Sequence, residues 1–420
     1  MSAQNATFDS DTTIENILAE LPPAPAVFAP ESLLVAAEVV SSLIESEPAS
    51  LDFSLDKSTS DVVLQALEQS IPLNDLSGPL IPRHSHLNIN RVPLQERRVD
   101  FTEMSDTWCR LVTRFDTKSD LTKVRIALGV PETFSTSRRE RFTGNEALAV
   151  LLSRLAYPCR LSDLQLRWGR SETALSRCIN ELGELLFHQW KHLFEFRPLF
   201  YTPERLSHYA ACIKAAGSPL DDIWGFIDGT IIDICRPETD QEIVYNGYKK
   251  HHALKFQAVA TPDGLLGPIF GPVEGRRADA GMLEMSGVEA MWLSHARAPN
   301  GQQLFVYGDP AYGVSDTIIS NVRRLGNLSE HEREFNRRMS KLRQSIEWGF
   351  GHVVNIFGFV DYNKGLKLGL QPVGQLYLLS VLFTNIHTIL YGSEVSHKFQ
   401  CPPPSLSHFL TPRKHAQTPM

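Results

Sequence analysis

Three features are missing from this sequence of 420 residues: a long hydrophobic run, a basic leader and paired cysteines. The longest apolar stretch, LYLLSVLFTNIHTILY near the C-terminus, contains Asn385 and His387. It is too short and too polar to cross a bilayer, so we expect no membrane partner. The first residues, MSAQNATFDSDTT, have neither a basic n-region nor an apolar h-region, which argues against a secretory signal.

The 6 cysteines are scattered, and no C-x-x-C pair occurs among them. This spacing predicts neither a structural zinc site nor a disulfide framework. Reduced thiols fit a protein of the nucleus or the cytosol.

Basic residues are scarce at the N-terminus. Residues 1–80 contain 13 acidic residues and one basic residue, Lys57, whereas the whole chain has 48 acidic and 41 basic residues. The remainder therefore has 48 − 13 = 35 acidic and 41 − 1 = 40 basic residues, a charge of about +5. A mildly basic body is compatible with a polyanionic partner.

Residues 1–100 form an acidic segment that we expect to be largely disordered, with the Pro-rich stretch LPPAPAVFAPES. Two pieces, ESLLVAAEVVSSLIES and SDVVLQALEQS, have the pattern of short amphipathic helices. They are interpreted either as parts of a solvated linker or as helices that order on a partner.

Residues 101–200 are predicted to be helical. In FTGNEALAVLLSRLAY, Thr143 and Glu146 have capping-box spacing ahead of apolar residues at helical intervals. A short helix over 162–167, a turn over 168–170 and a longer helix beginning after Ser171 make a helix-turn-helix pattern. The arginines placed to meet DNA phosphates are Arg167, Arg170 and Arg177. Helix packing without any DNA contact remains the alternative.

Residues 221–395 are predicted to form an α/β domain, followed by a C-terminal tail over 396–420. IWGFIDGTIIDIC has the composition of a strand, and two strands flank the turn Pro262-Asp263-Gly264. A helix over AGMLEMSGVEAMWLSHA, the strand QLFVYGDPAY, a long helix and a helix over 370–392 follow.

Three carboxylates stand out within these elements. Asp228 lies inside an apolar strand, where a carboxylate is costly unless it is paired or binds a cation. Asp309 stands at the end of another strand, where α/β folds keep their chemistry. Glu347 is predicted on the apolar side of its helix, with Arg343 one turn earlier to hold it. Each acid taken alone is more readily explained as structural, Asp309 as a turn residue and Glu347 as a helix residue paired with Arg343.

Taken together, two strand carboxylates and one helix carboxylate suit two Mg²⁺ ions. Magnesium prefers hard oxygen ligands. Two such ions, roughly 3.5–4 Å apart, support in-line displacement at phosphorus. Mg²⁺ or Mn²⁺ is therefore the expected cofactor.

At these residues the chain resembles the PIF/Harbinger-type DDE transposases, which include the Harbinger transposase-derived nucleases. FIDGT matches the first Asp block and carries over Asp228; YGDPAY carries over Asp309; FNRRMSKLRQSIEWGFGHVVNIFGF carries over Glu347. YNGYKKHHALKFQAV and GRRADAGML resemble two further blocks, the latter with Asp279. The closing helix reads Thr-Asn-Ile-His where the family has Leu-His-Asn.

The resemblance covers residues 105–395 and implies an RNase H-like nuclease domain that acts on DNA at terminal inverted repeats. It also implies a Myb-like DNA-binding partner that assists nuclear import, with the nucleus and cytoplasm as locations. The basic runs SRRER and PRKH make no convincing import signal, which fits such help. A homo-oligomer is a further expectation.

The remaining candidates surround the proposed metal site. Asp279 is either a helix-start residue or an accessory metal carboxylate. Lys249, Lys250, Arg276 and Arg277 are either loop residues or phosphate contacts.

The sequence thus favours a metal-dependent DNA endonuclease or transposase. A domesticated DNA-binding protein without cleavage is the alternative, although intact carboxylates at all three positions speak against it. A small-molecule phosphoesterase is a third candidate.

Overall fold

A computed structural model describes residues 99–412 except 248 and 324–326. The acidic segment with its two candidate helices, and the basic run after Pro412, lie outside the described residues. The architecture below belongs to the compact unit that contains the described chain.

The N-terminal part of this unit is mostly helical, and each helix begins at an identifiable cap. Thr143, for example, caps a helix by accepting a hydrogen bond from the Glu146 backbone N–H at 3.2 Å. The helices are α1 (Asp106–Thr113), α2 (Lys118–Ala127), α3 (Gly144–Ala156), α4 (Leu161–Trp168), α5 (Glu172–Trp190) and α6 (Pro203–Ala215).

Between α2 and α3 lies a small antiparallel hairpin that the sequence did not predict, formed by β1 (Thr133–Ser135) and β2 (Arg141–Thr143). The basic run over 137–141 forms its turn and the first residue of β2. These residues are therefore part of a structured hairpin.

The C-terminal part contains a mixed sheet of six strands. They are β3 (Ile223–Asp233), β4 (Tyr245–Asn246), β5 (His251–Ala260), β6 (Leu266–Glu274), β7 (Phe305–Gly308) and β8 (Ile318–Ser320). The order is β4-β5-β3-β7-β8, with β6 also pairing with β5. β5 is antiparallel to β3 and β6, whereas β7 is parallel to β3 and β8. This mixed sheet is consistent with an RNase H-like domain.

Helices cover both faces of the sheet. They are α7 (Gln241–Val244), α8 (Asp279–Ser286), α9 (Val288–His295), α10 (Glu330–Ile356), α11 (Val373–Tyr391), α12 (Glu394–Phe399) and α13 (Leu406–Phe409). Phe226 stacks on Phe399 of α12, and Phe256 packs on Tyr377 of α11, so α11 and α12 lie on one face. The predicted single helix after residue 278 is two helices, because Gly287 adopts a φ of +62° between them.

One hydrophobic core runs through the helical part and the sheet. α11 is long and apolar enough to cross a membrane, yet 78% of that stretch is buried inside the fold, as in a core helix. The predicted tail after residue 395 begins inside α12, and Phe409 is buried. The Phe409 carbonyl accepts a hydrogen bond from Arg197 Nη1 at 3.1 Å, so the chain up to residue 412 includes packed structure.

Candidate active site

Two parallel strands bring Asp228 and Asp309 together. β3 and β7 are neighbours, with Phe226 opposite Tyr307. Two residues further along, β3 reaches Asp228, and the chain beyond β7 reaches Asp309. Pro310 follows directly, and Asp309 Oδ1 accepts a hydrogen bond from the Ala311 N–H at 2.7 Å, which fixes the turn.

The surroundings of Asp228 act on its charge in opposite directions. Burial raises the pKa of the Asp228 carboxyl above its ordinary value, while Arg343 and the Gly229 N–H lower this pKa. Nearby Asp309 raises the pKa of Asp228 again, because two like charges at close range disfavour ionisation. The net effect is a raised pKa, so this carboxylate gains from a cation beside it.

Arg343 connects the third carboxylate to the first. Its Nη2 donates to Glu347 Oε1 at 3.1 Å, one turn along α10, as predicted. Its Nη1 donates to Asp228 Oδ2, a contact that no local spacing indicated. The Glu347 side chain is 55% exposed, so its predicted position on the apolar side of the helix is wrong. Ile346 and Phe350 are buried, and Glu347 lies at the edge of this stripe.

Asp279 occupies the opposite face of β3. It is the first residue of α8, and its Oδ1 lies 2.8 Å from Lys255 Nζ. A Cβ at Gly229 would clash with Asp279 Oδ1, so glycine is what lets this carboxylate approach the strand. Because successive strand residues point to opposite faces, Gly229 and Asp228 face different sides. The accessory metal role of Asp279 stays a prediction.

Lys255 is a charged partner of Asp279 that the sequence interpretation missed. Its side chain is only 10% exposed, and its Nζ also donates to the Arg277 carbonyl at 3.0 Å. A lysine inside the apolar strand HHALKFQAVA was the available signal, and it is the same signal that singled out Asp228.

Arg170 and Arg177, two of the candidate DNA contacts, have protein partners. Arg170 Nε and Nη2 donate to the two carboxylate oxygens of Glu146 at 2.8 and 2.7 Å. Both side chains are nearly buried, with 11% and 7% exposed. Arg177 forms an ion pair with Glu140. The Glu146 carboxylate therefore pairs with Arg170 instead of accepting a hydrogen bond from the Thr143 N–H, as the predicted capping box requires.

The predicted turn between α4 and α5 is present at Gly169, which has a φ of +60°. α5 buries Leu175, Cys178 and Leu182, and its exposed positions include Glu172 and Glu184. Carboxylates at these two positions repel phosphates rather than bind them. Arg167, which is half-buried, stays a predicted DNA contact.

The other candidate cations lie on two neighbouring turns at one end of the sheet. Lys249 and Lys250 are exposed between β4 and β5, and Arg276 is exposed after β6. Asn246 Nδ2 donates to the Gly275 carbonyl at 2.6 Å and so joins the two turns. Arg277 forms an ion pair with Glu274 on the second turn.

The donor set fits a hard divalent cation. Asp228, Asp309 and Glu347 supply only carboxylate oxygens, the ligands that Mg²⁺ and Mn²⁺ prefer. Arg343 pairs with Asp228 and Glu347, and so neutralises part of the negative charge that a cation would neutralise.

Comparison with known proteins points the same way. Residues 227–385 match the family model described as DDE superfamily endonuclease. No curated protein and no solved structure matches the chain. The matched segment contains Asp228, Asp309 and Glu347, and it supports a DDE transposase-like nuclease that acts on DNA with divalent metal.

Proposed function

We propose that the chain is a metal-dependent DNA endonuclease of the DDE transposase type, with Asp228, Asp309 and Glu347 as its catalytic residues. The observation that carries this proposal is the convergence of the three carboxylates. Two come from adjacent parallel strands, and the third is joined to the first through Arg343.

The three carboxylates would hold Mg²⁺ or Mn²⁺, which supplies Lewis-acid stabilisation of the charge that develops at phosphorus. The strands fix Asp228 and Asp309 on rigid backbone, and α10 presents Glu347 from the side. Arg343 orients two carboxylates at once, which limits the rotamers they sample. Such preorganisation is what a phosphoryl-transfer site requires of its protein.

Double-stranded DNA is the proposed substrate. The cations Lys249, Lys250 and Arg276 on the two joined turns would meet its phosphates, so affinity is expected to fall as salt rises. Within the broader class we propose the PIF/Harbinger type. It would act at terminal inverted repeats, as a homo-oligomer, with a Myb-like partner assisting entry into the nucleus.

Nicking of supercoiled plasmid in Mn²⁺ tests the proposal. We expect Asp309→Asn and Glu347→Gln to reduce nicking by about a hundred-fold or more, because each removes one metal-binding charge while keeping the shape. Glu334→Gln is a matched control: Glu334 is an exposed glutamate on the same helix, also paired with an arginine, Arg337. Circular dichroism verifies that each variant is folded.

Equal nicking by the control and by both site variants would refute the assignment of the carboxylates. A protein that binds DNA with salt dependence and never nicks it would favour the domesticated DNA-binding alternative. Hydrolysis of small phosphoesters in preference to DNA would favour the phosphoesterase.

A further inference from the structure

A second cluster of metal-binding side chains lies away from the carboxylates. It consists of His208, Cys212 and Cys401, whose ligand atoms all lie within 4.8 Å of one another. Its donors are one imidazole and two thiols, so its chemistry differs from that of the carboxylate site. The scattered cysteine spacing concealed it, because two donors come from α6 and the third from the C-terminal segment.

Local structure explains how the three donors meet. His208 and Cys212 are four residues apart on α6, so they share one face of the helix. Cys401 follows α12, where Gln400 adopts a φ of +49° and turns the chain. The Cys401 N–H then donates to the Ser396 carbonyl at 3.0 Å, which fixes the cysteine against α12. Cys401 is 1% exposed, whereas His208 is exposed at the rim.

We infer that His208, Cys212 and Cys401 form a Zn²⁺ site. Zinc accepts sulfur and imidazole nitrogen together in tetrahedral geometry, with bonds of about 2.3 Å to sulfur and 2.0–2.1 Å to nitrogen. Those bond lengths place a sulfur and a nitrogen ligand about 3.6 Å apart. Cys212 Sγ lies 3.7 Å from His208 Nε2, which matches that edge. The two thiols release their protons on binding, and the exposed rim leaves the fourth position to water.

The ion would fasten the C-terminal segment to the catalytic domain. α6 packs on β3, the strand that carries Asp228. Lys398 of α12 donates to the Lys341 carbonyl of α10 at 3.0 Å. A metal between Cys401 and α6 would therefore tie the end of α12, which also contacts the helix that carries Glu347, to α6. This fastening of the C-terminal segment does not depend on the chain being a nuclease.

The test measures bound zinc in the full-length chain, purified under reducing conditions, and the absorption spectrum after replacement with Co²⁺. We expect one zinc per chain and a thiolate-to-cobalt charge-transfer band. Carboxylates give no such band, so a metal at the Asp228 site does not imitate the result. Cys212→Ser and His208→Gln should weaken or remove the band and lower the zinc content. Cys235→Ser, a half-buried cysteine outside the cluster, should leave both unchanged.

Three outcomes would overturn the inference. One is a wild-type protein that shows no thiolate-to-cobalt band. Another is zinc content that is unchanged in both Cys212→Ser and His208→Gln. The third is a Cys212–Cys401 disulfide, seen as two fewer reactive thiols than the 6 in the sequence when the protein, freed of reductant, is unfolded in the presence of a chelator. The two tested side chains are half-buried and exposed, so they are the substitutions that the fold tolerates best.

Discussion

Arg170 tests whether a basic residue of the helical region stabilises the fold or contacts DNA. Its guanidinium makes two hydrogen bonds to Glu146, at 2.8 and 2.7 Å, and lies 4.3 Å from the centroid of the Phe142 ring. The pair fastens the start of α5 to α3. We therefore predict that Arg170→Met destabilises the fold and leaves DNA binding nearly intact.

The magnitude follows from burial. With 11% and 7% of the two side chains exposed, removal of one partner leaves an almost buried charge unpaired. Breaking a buried pair in this way costs about 3–5 kcal/mol. The lost contact with the Phe142 ring adds about 0.5–2 kcal/mol. The double variant Arg170→Met/Glu146→Met removes both charges and leaves neither unpaired. Its free energy of unfolding should therefore fall by less than the sum of the losses in the two single variants.

Guanidinium denaturation of the four proteins in this double-mutant cycle gives each free energy of unfolding. Electrophoretic mobility shifts at several salt concentrations give the salt slope of DNA affinity for Arg170→Met and, as a comparison, Arg167→Gln. We expect an unchanged slope for Arg170→Met. A phosphate contact at Arg167 would appear as a slope reduced by about one.

Two results would refute this reasoning. A loss of stability below about 1 kcal/mol for Arg170→Met would show that the pair behaves like an exposed one. If the slope of DNA affinity against salt concentration fell by about one while stability stayed unchanged, Arg170 would be a phosphate contact after all.

Two further predictions concern a half-buried histidine and a strand glycine. Burial and His352 lower the pKa of His387 from 6.5 to about 4, so the unfolded chain binds more protons between these values and stability falls as pH drops through them. The loss of stability approaches about 1.4 kcal/mol per pH unit. Chemical denaturation at pH 7 and pH 5 should show a smaller difference in the free energy of unfolding for His387→Gln than for the wild type. An equal difference in both proteins would contradict the assignment. Gly229→Ala should displace Asp279 and reduce nicking about a hundred-fold. Gly351→Ala, where an added Cβ meets nothing within 4 Å, should nick normally, and equal nicking by both variants would refute the accessory role of Asp279.

Local patterns explain which parts of the fold were predictable. The hairpin turn at Pro262-Asp263-Gly264 and the strand that ends before Asp309 follow from turn chemistry and β propensity, which act over a few residues. The i−4 contact between Arg343 and Glu347 is equally local, because it follows from helix geometry.

The remaining features depend on residues that are distant in sequence. Arg343 reaches Asp228 across 115 positions, and periodicity contains no information about that contact. Glu146 has the spacing of a capping box, yet a buried arginine 24 positions away takes its carboxylate. A paired guanidinium in a dry environment outweighs a helix-end contact exposed to water.

Arg343 also balances part of the negative charge of the proposed metal site while no metal is bound. Three carboxylates brought together without a cation would repel one another and push β3, β7 and α10 apart. The tethered guanidinium already balances two of them, so the backbone geometry exists before any metal arrives. On the proposed function, metal binding would exchange one positive charge for another, because the ion would compete with Arg343 for the carboxylates.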